Sequence, residues 1–511
     1  MAAIITSKFR LNNAEQFVES FSETAATAYY LFIGRSSTWQ TDTDVQGNTV
    51  NEGTDSTPPT PNDDVSSEFY NYDEMLGLKK IASSDVSQVI AKRTWTTGTT
   101  YDMYEHNISS TNTSNSGATN IFDASFYVIN SANNVYKVIE NDGNTTSTSE
   151  PTSTSTSIFS TADGYRWKYM YSLSTAQVTN FVSTDFMPVV TNSTVSNAAV
   201  DGALDTILVA AGGSSYDVSG GATSGTITAI PIRGDGSGGV ASVTLTSGAI
   251  TAATVTTAGT GYTYAYIRSA DVVAATNAGG NGSGCNLNVI IPPKGGHGKD
   301  AIKELGGFFV MLNTDLTGSE GTSDILATND FRTVGIVRDP TNFGTSTVST
   351  GTTLRGVKAI KIASSPTPGT FTIDEEINQA STGAVGRVVS WDSDNKILYY
   401  CQTRFPDYGT DANGNLTAFS GANVITGQSS SATATPDTSS SATVNAVVFS
   451  SGYANPEIQP DSGDIIYVEH RSPISRASDQ TENIKLIICL LYTSDAADEG
   501  LGVDLGGRRI I

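Results

Sequence analysis

The clearest pattern in the chain has a period of two. In GYRWKYMYSL, residues 164–173, Tyr165, Trp167, Tyr169, Tyr171 and Leu173 alternate with Arg166, Lys168, Met170 and Ser172. That alternation predicts a strand with an aromatic row facing a core, a reading that outweighs a sugar-binding platform. AYYLFIGR (28–35) predicts a buried strand, and FYVINSANNVYKVIE (126–140) a hairpin turning at Asn133-Asn134, where asparagine tolerates the left-handed conformation. GRVVSWDSDNKILYYCQTR (386–404) predicts two strands around an Asp-Asn turn. A helical period is rare. NNAEQFVESF (12–21) has it, with Asn12 or Asn13 to cap and Phe17, Val18 and Phe21 on one face. The stretch Met75–Trp95 is mixed, with Leu76, Leu78, Ile81, Val86, Val89 and Ile90 as its apolar positions.

Between these elements the texture changes. Two Ser/Thr/Asn tracts, 107–120 and 143–157, read as surface loops too polar to pack. From about 200 to 290, TILVAAGGSSYDVSG and ATVTTAGTGYTYAYI share an apolar strand, a glycine pair and a tyrosine, which suggests a small β domain with a weak internal repeat. A second β segment spans about 346–456.

Composition supports strands and turns. Glycine is about one residue in ten and charged residues are 15%, against roughly 7% and 25% in ordinary domains. A net charge of −23 argues against a phosphate backbone as ligand, so nucleic acid is not expected. Cys285, Cys401 and Cys489 form neither a disulfide framework nor a CxxC metal site. No signal-peptide core opens the chain, and no run reaches the ~18 apolar residues of a membrane span. The expectation is a soluble protein made in a cytoplasm.

The strongest hint of chemistry is PPKGGHGKDAIKEL (292–305), a glycine cluster, a Gly-Lys pair and a short helix. A phosphate-binding loop of the G-x-x-x-x-G-K-[ST] type would place Pro293 at the first glycine and Asp300 at the Mg²⁺-binding hydroxyl. Both substitutions remove the chemistry. The stretch is better read as a turn, a helix AIKEL capped by Asp300, and a stop at Gly306-Gly307. DTDVQGNTVNEG (42–53) places Asp42 and Asp44 as a calcium loop would, but Gln46 and Gly53 stand where ligands are needed. Asp392 and Asp394 belong to a hairpin turn, and Arg-Gly-Asp at 233–235 to a Gly-rich turn. His106, His297 and His470 fall in no catalytic motif. No catalytic, cofactor-binding or metal residue is assigned, and no cofactor is expected.

Five stretches carry a resemblance to a known family. They are ITSKFR (5–10), FIGRSSTW (32–39), DGYRWKYMYSL (163–173), DFRTVGIVRDP (330–340) and SGDIIYVEHRSPISRASDQTENIKLI (462–487). In order and content they resemble the baseplate wedge protein, gene product eight, of large contractile-tailed phages. The resemblance implies a structural virion protein without catalytic residues. It also implies that the protein dimerises, contacts other wedge subunits and is assembled in the host bacterial cytoplasm.

The expected fold is mainly β with a minor α component, a multidomain β-sandwich-like core carrying inserted small β domains. Residues 1–190, 293–345 and 457–488 form the wedge core, while 191–292 and 346–456 are insertions as in phages of marine bacteria. Residues 489–511 resemble the in-frame translation of a sequencing adapter and are read as an artefactual tail. Phe9, Phe32, Trp39, Trp95, Trp167, Tyr467 and Ile474 are the candidate core. Arg35 and Arg471 are expected in buried pairs, with Glu469 and Glu482 as partners. The alternative function is a host-binding adhesin or tail-fibre-like glycan-binding protein, to be favoured if Tyr216, Tyr262 and Tyr264 stand exposed together over a groove. A depolymerase, marked by two cleft carboxylates, is the third.

Overall fold

The computed structural model describes residues 5–23, 27–43, 49–50, 53–218, 221–276, 281–317, 330–404, 409–411, 413–475 and 481–489. The chain is mainly β, built from several antiparallel sheets with a few short helices. It divides into two compact units. The first holds Ser87–Met311 with the N-terminal residues up to Glu15; the second holds Gln16–Val86 and Leu312–Ile487.

In the first unit, strands Tyr127–Ile129, Asn134–Glu140, Arg166–Ser172 and Phe159–Ser160 lie side by side in that order. Asn133 turns the hairpin at φ 59, as its sequence predicts. The aromatic row of the strand Arg166–Ser172 is buried, with Trp167 and Tyr165 stacked at 5.4 Å. The middle of the opposite face is buried too, since Lys168 is 5% and Met170 1% exposed, while Ser172 at its end is exposed. Strict alternation therefore misjudged this strand: it lies inside the unit, and its one interior cation must find oxygen partners. The two polar tracts run as irregular loops tied to single carboxylates. Asp163 accepts bonds from the amides of Thr148 and Ser149 and from Ser147 Oγ, and Asp102 from Ser116 and Ser125.

The residues from 204 to 289 have an apolar cluster of their own. Strands Gly225–Pro231, Val240–Thr246 and Ala249–Thr257 form a three-stranded sheet, and Ile207–Ser214 pairs with Ser283–Val289. Here the glycines make room for rings. A Cβ on Gly282 would lie 2.1 Å from the Tyr216 ring, and one on Gly236 2.4 Å from the Tyr262 ring. Each tyrosine of the weak repeat is thus buried against backbone that only glycine can supply.

The second unit contains a five-stranded sheet in the order Thr353–Arg355, Met75–Lys80, Tyr29–Gly34, Phe331–Arg338, Asp464–Ile474. Tyr29–Gly34 is central and buried at every position. A separate seven-stranded sheet includes Ala384–Asp392 and Ile397–Cys401 around the expected turn, where Asp392 Oδ1 accepts from the amides of Asp394 and Asn395. Its apolar cluster runs from Ile360 to Ala434.

Of the expected core, Phe32, Trp39 and Trp167 are buried. Trp95, Tyr467 and Ile474 are only half-buried. Phe9 is 46% exposed, because the N-terminal helix Ser7–Glu19 turns Leu11 and Ala14 inward instead. That helix begins earlier than the predicted 12–21. Residues 490–511 and most of the 42–53 stretch lie outside the described residues, as does any test of their readings.

Trp167 supplies the largest fully buried side chain. Trp167→Ala is expected to destabilise the first unit by about 3–5 kcal/mol, read as a lowered urea midpoint for its unfolding transition.

Candidate functional site

The loop 292–305 is held from both sides. Gly295, Gly296 and Gly298 have φ near +90°, and a Cβ on Gly296 would sit 2.2 Å from the Val200 carbonyl oxygen. Asp300 caps the helix Ala301–Leu305 by accepting from the Lys303 amide at 3.1 Å, and Gly306 ends it in the left-handed conformation. These features match the sequence reading. Lys299, the lysine of the Gly-Lys pair, is exposed.

The loop nevertheless cradles an anion, and the anion is its own Glu304. The amides of Gly298 and Asp300 donate to Glu304 Oε1 at 2.8 and 3.3 Å. Glu304 Oε2 meets Lys137 Nζ at 2.9 Å, with the side chains 3% and 0% exposed. The ammonium also lies 3.9 Å from the centre of the Tyr104 ring, which meets the rings of His297 and Phe126 edge-on. Asp205 approaches His297 Nε2 at 3.8 Å, and Lys168 donates to the Thr156 carbonyl. Burial dominates the titration of this cluster. It lowers the Lys137 and Lys168 pKa, holds His297 neutral well below its usual range, and pushes Asp205 up to about 6. Two cations face two carboxylates. Such a set stabilises a joint, with Lys137 and Glu304 bound to each other and Glu304 also to backbone.

A second constellation gathers around Trp39 in the other unit. Arg35, itself at φ 52, donates to Glu74 Oε1 at 3.0 Å and to the Thr38 carbonyl, and lies 4.1 Å above the Trp39 ring. Trp39 Nε1 donates to the Arg471 carbonyl at 2.8 Å. The His470 ring packs against the indole at 4.4 Å and donates through Nδ1 to the Pro59 carbonyl. Asp55 accepts from the Trp39 amide and from Arg332 Nε and Nη2 at 2.8–2.9 Å. The Arg332 bonds are the main reason that its pKa falls. Three of the family-like stretches, 32–39, 330–340 and 462–487, therefore meet at one tryptophan.

This corrects the expected pairing. Arg35 pairs with Glu74, reached across the neighbouring strand, and not with Glu469 or Glu482. Arg471 does pair with Glu469, at 3.5 Å, but is 41% exposed and so is not a buried partner. Sequence reasoning missed Asp55, Glu74 and Arg332 here, and Lys137, Asp205 and Glu304 in the loop cluster. Only the scarcity of charged residues hinted that single ones would matter. His106 accepts from the Ile291 amide. Among the described residues no group of three or more His, Cys, Asp or Glu could hold a metal ion. Tyr216 and Tyr262 are buried while Tyr264 is exposed, so the three do not form the platform set as the mark of an adhesin.

Together the fold and these nodes define a β-rich protein whose few buried charges serve to fix chain segments. Comparison with known proteins agrees. Residues 3–148 match the family model described as Phage-Gp8: Bacteriophage T4, Gp8. The match covers under a third of the chain and agrees with its resemblance to the gene product eight baseplate wedge family. None of the curated proteins matches the chain.

Two outcomes follow from the geometry. Glu304→Gln leaves Lys137 buried beside a neutral partner and is expected to cost about 3–5 kcal/mol in chemical denaturation. The double replacement Lys137→Met with Glu304→Leu is expected to cost clearly less. Burial pushes His470 down to about 4 from 6.5, so as pH falls through that interval the unfolded chain takes up its proton first. Stability present at neutral pH is lost over that window. His470→Gln is expected to flatten the corresponding part of the urea midpoint against pH.

Proposed function

We propose that the chain is a structural subunit of a contractile-tail baseplate wedge that works by protein–protein assembly and not by catalysis. The observation that carries this is the family match over residues 3–148. The core is divided by the two insertions at 191–292 and 346–456, each built around its own apolar cluster. The outer strand of the five-stranded sheet, Asp464–Ile474, is eleven residues long with none of them fully buried, and carries Ile465, Ile466 and Val468. A long, half-exposed apolar strand at a sheet margin suits contact with another subunit. The partners are other wedge subunits and a second copy of the chain, brought together in the host cytoplasm before the tail is complete. On contraction the subunit moves as a body whose contacts are exchanged while its internal nodes hold.

Coexpression with the neighbouring wedge proteins tests this. The chain is expected to elute in a stable complex with them, and as a dimer when purified alone, by size-exclusion chromatography with light scattering. Ile466→Lys, at a position 36% exposed, is expected to weaken that assembly about tenfold or more without altering the melting of the isolated chain. A chain that stays monomeric beside its neighbours contradicts the assignment.

A further inference from the structure

The stretch 191–292 contains two basic residues, Arg233 and Arg268, and four aromatic ones, Tyr216, Tyr262, Tyr264 and Tyr266. Two of the tyrosines are core. The other two, Tyr264 at 62% and Tyr266 at 38% exposure, stand with ring centroids 5.5 Å apart and planes inclined at 40°. Both arginines are beside them. Arg233 is the cross-strand partner of Tyr266, and Arg268 follows it by two residues. Every basic group and every exposed aromatic ring of this stretch is thus at one place.

The place is rigid. A single buried carboxylate, Asp271, accepts from Arg233 Nη2 and from Arg268 Nε and Nη2, each at 2.9 Å, and from Arg233 Nε at 3.4 Å. The guanidiniums themselves remain about half exposed, and share Asp271 as their one carboxylate partner. Asp235 fixes the adjoining turn, accepting from the amides of Thr263 and Tyr264 at 3.0 Å each. Gly234, at φ 156, lets that turn close: a Cβ there would lie 2.0 Å from the Tyr264 carbonyl oxygen.

We propose that Tyr264, Tyr266, Arg233 and Arg268 form a binding site for an acidic saccharide, a sugar bearing a carboxylate. Pyranose faces stack their C–H groups on tyrosine rings, and a guanidinium fork presents paired N–H donors to a carboxylate. The small size of the patch favours a sugar over a protein surface. A specific protein interface needs roughly 20–30 residues a side with apolar area at its centre. Among the described residues of 191–292, the exposed large apolar side chains besides the two tyrosines are limited to Val200. The rest of the stretch is rich in Gly, Ser, Thr and Ala. An extended polyanion such as nucleic acid is disfavoured by the chain's charge of −23.

The test titrates the full chain with tetragalacturonate, alginate tetrasaccharide and sialyllactose, against neutral maltotetraose, by saturation-transfer NMR and calorimetry. At least one acidic sugar is expected to bind with a millimolar or tighter Kd, weakening as salt rises, with maltotetraose at least about tenfold weaker. Tyr264→Ala and Arg268→Gln are each expected to lower that affinity about tenfold, and Tyr264→Phe to keep it, with melting curves unchanged for the two Tyr264 variants. Absence of binding by all three acidic probes overturns the proposal. So does equal binding of maltotetraose, or affinity indifferent to Tyr264→Ala. A Tyr264-dependent contact with another baseplate protein, without saccharide binding, also overturns it and makes the patch a protein interface.

Discussion

The aromatic core of the first unit encloses one ion pair withdrawn from water, Lys137 with Glu304. A lysine on a strand buried on both sides is costly unless its charge is met at close range and the partner's remaining lone pairs are filled. The loop 292–305 does both. It carries Glu304 to the ammonium and turns the amides of Gly298 and Asp300 onto the carboxylate. The same loop is where the chain returns from the 204–289 cluster to the aromatic core. The glycines that resemble a phosphate cradle are there because Val200, Val195 and Lys168 leave no space for side chains. What looked like a nucleotide loop is a joint whose anion is internal.

The Trp39 node solves the corresponding problem in the second unit. Sheet strands need little more than apolar alternation to form, but segments distant in the chain need a reason to meet in one register. Asp55, Arg332, Arg35 and Glu74 supply it by pairing through directional hydrogen bonds around one indole. Charged residues are 15% of the chain, and the buried ones of these two nodes are each paired. The two arginines at Tyr264 and Tyr266 are held by Asp271. They are fixed in place, yet left in solvent.

How much of this could be read from the sequence depends on how local the physics is. The Asn133 turn, the Asp300 cap and the Asp392 turn rest on bonds between residues a few positions apart, and their residue types announce them. The aromatic row through Trp167 was equally plain. Its opposite face was not, because nothing in the alternation tells whether Lys168 meets solvent or a carbonyl. The ion pairs were invisible for a similar reason. Arg35 and Glu74 are joined by strand register, and Lys137 and Glu304 lie far apart in the chain. Phe9 was misplaced because the helix starts at Ser7 and points Leu11 and Ala14 inward. The exposed tyrosine pair was half legible: the right stretch was marked, but two of its three rings belong to the core.

Electron cryo-microscopy of the phage tail proposed to contain this protein tests the account most directly. The account predicts density for the chain in each wedge of the baseplate, with the outer strand Asp464–Ile474 against a neighbouring subunit and the Tyr264–Tyr266 patch facing solvent. A baseplate complete without this chain would contradict it.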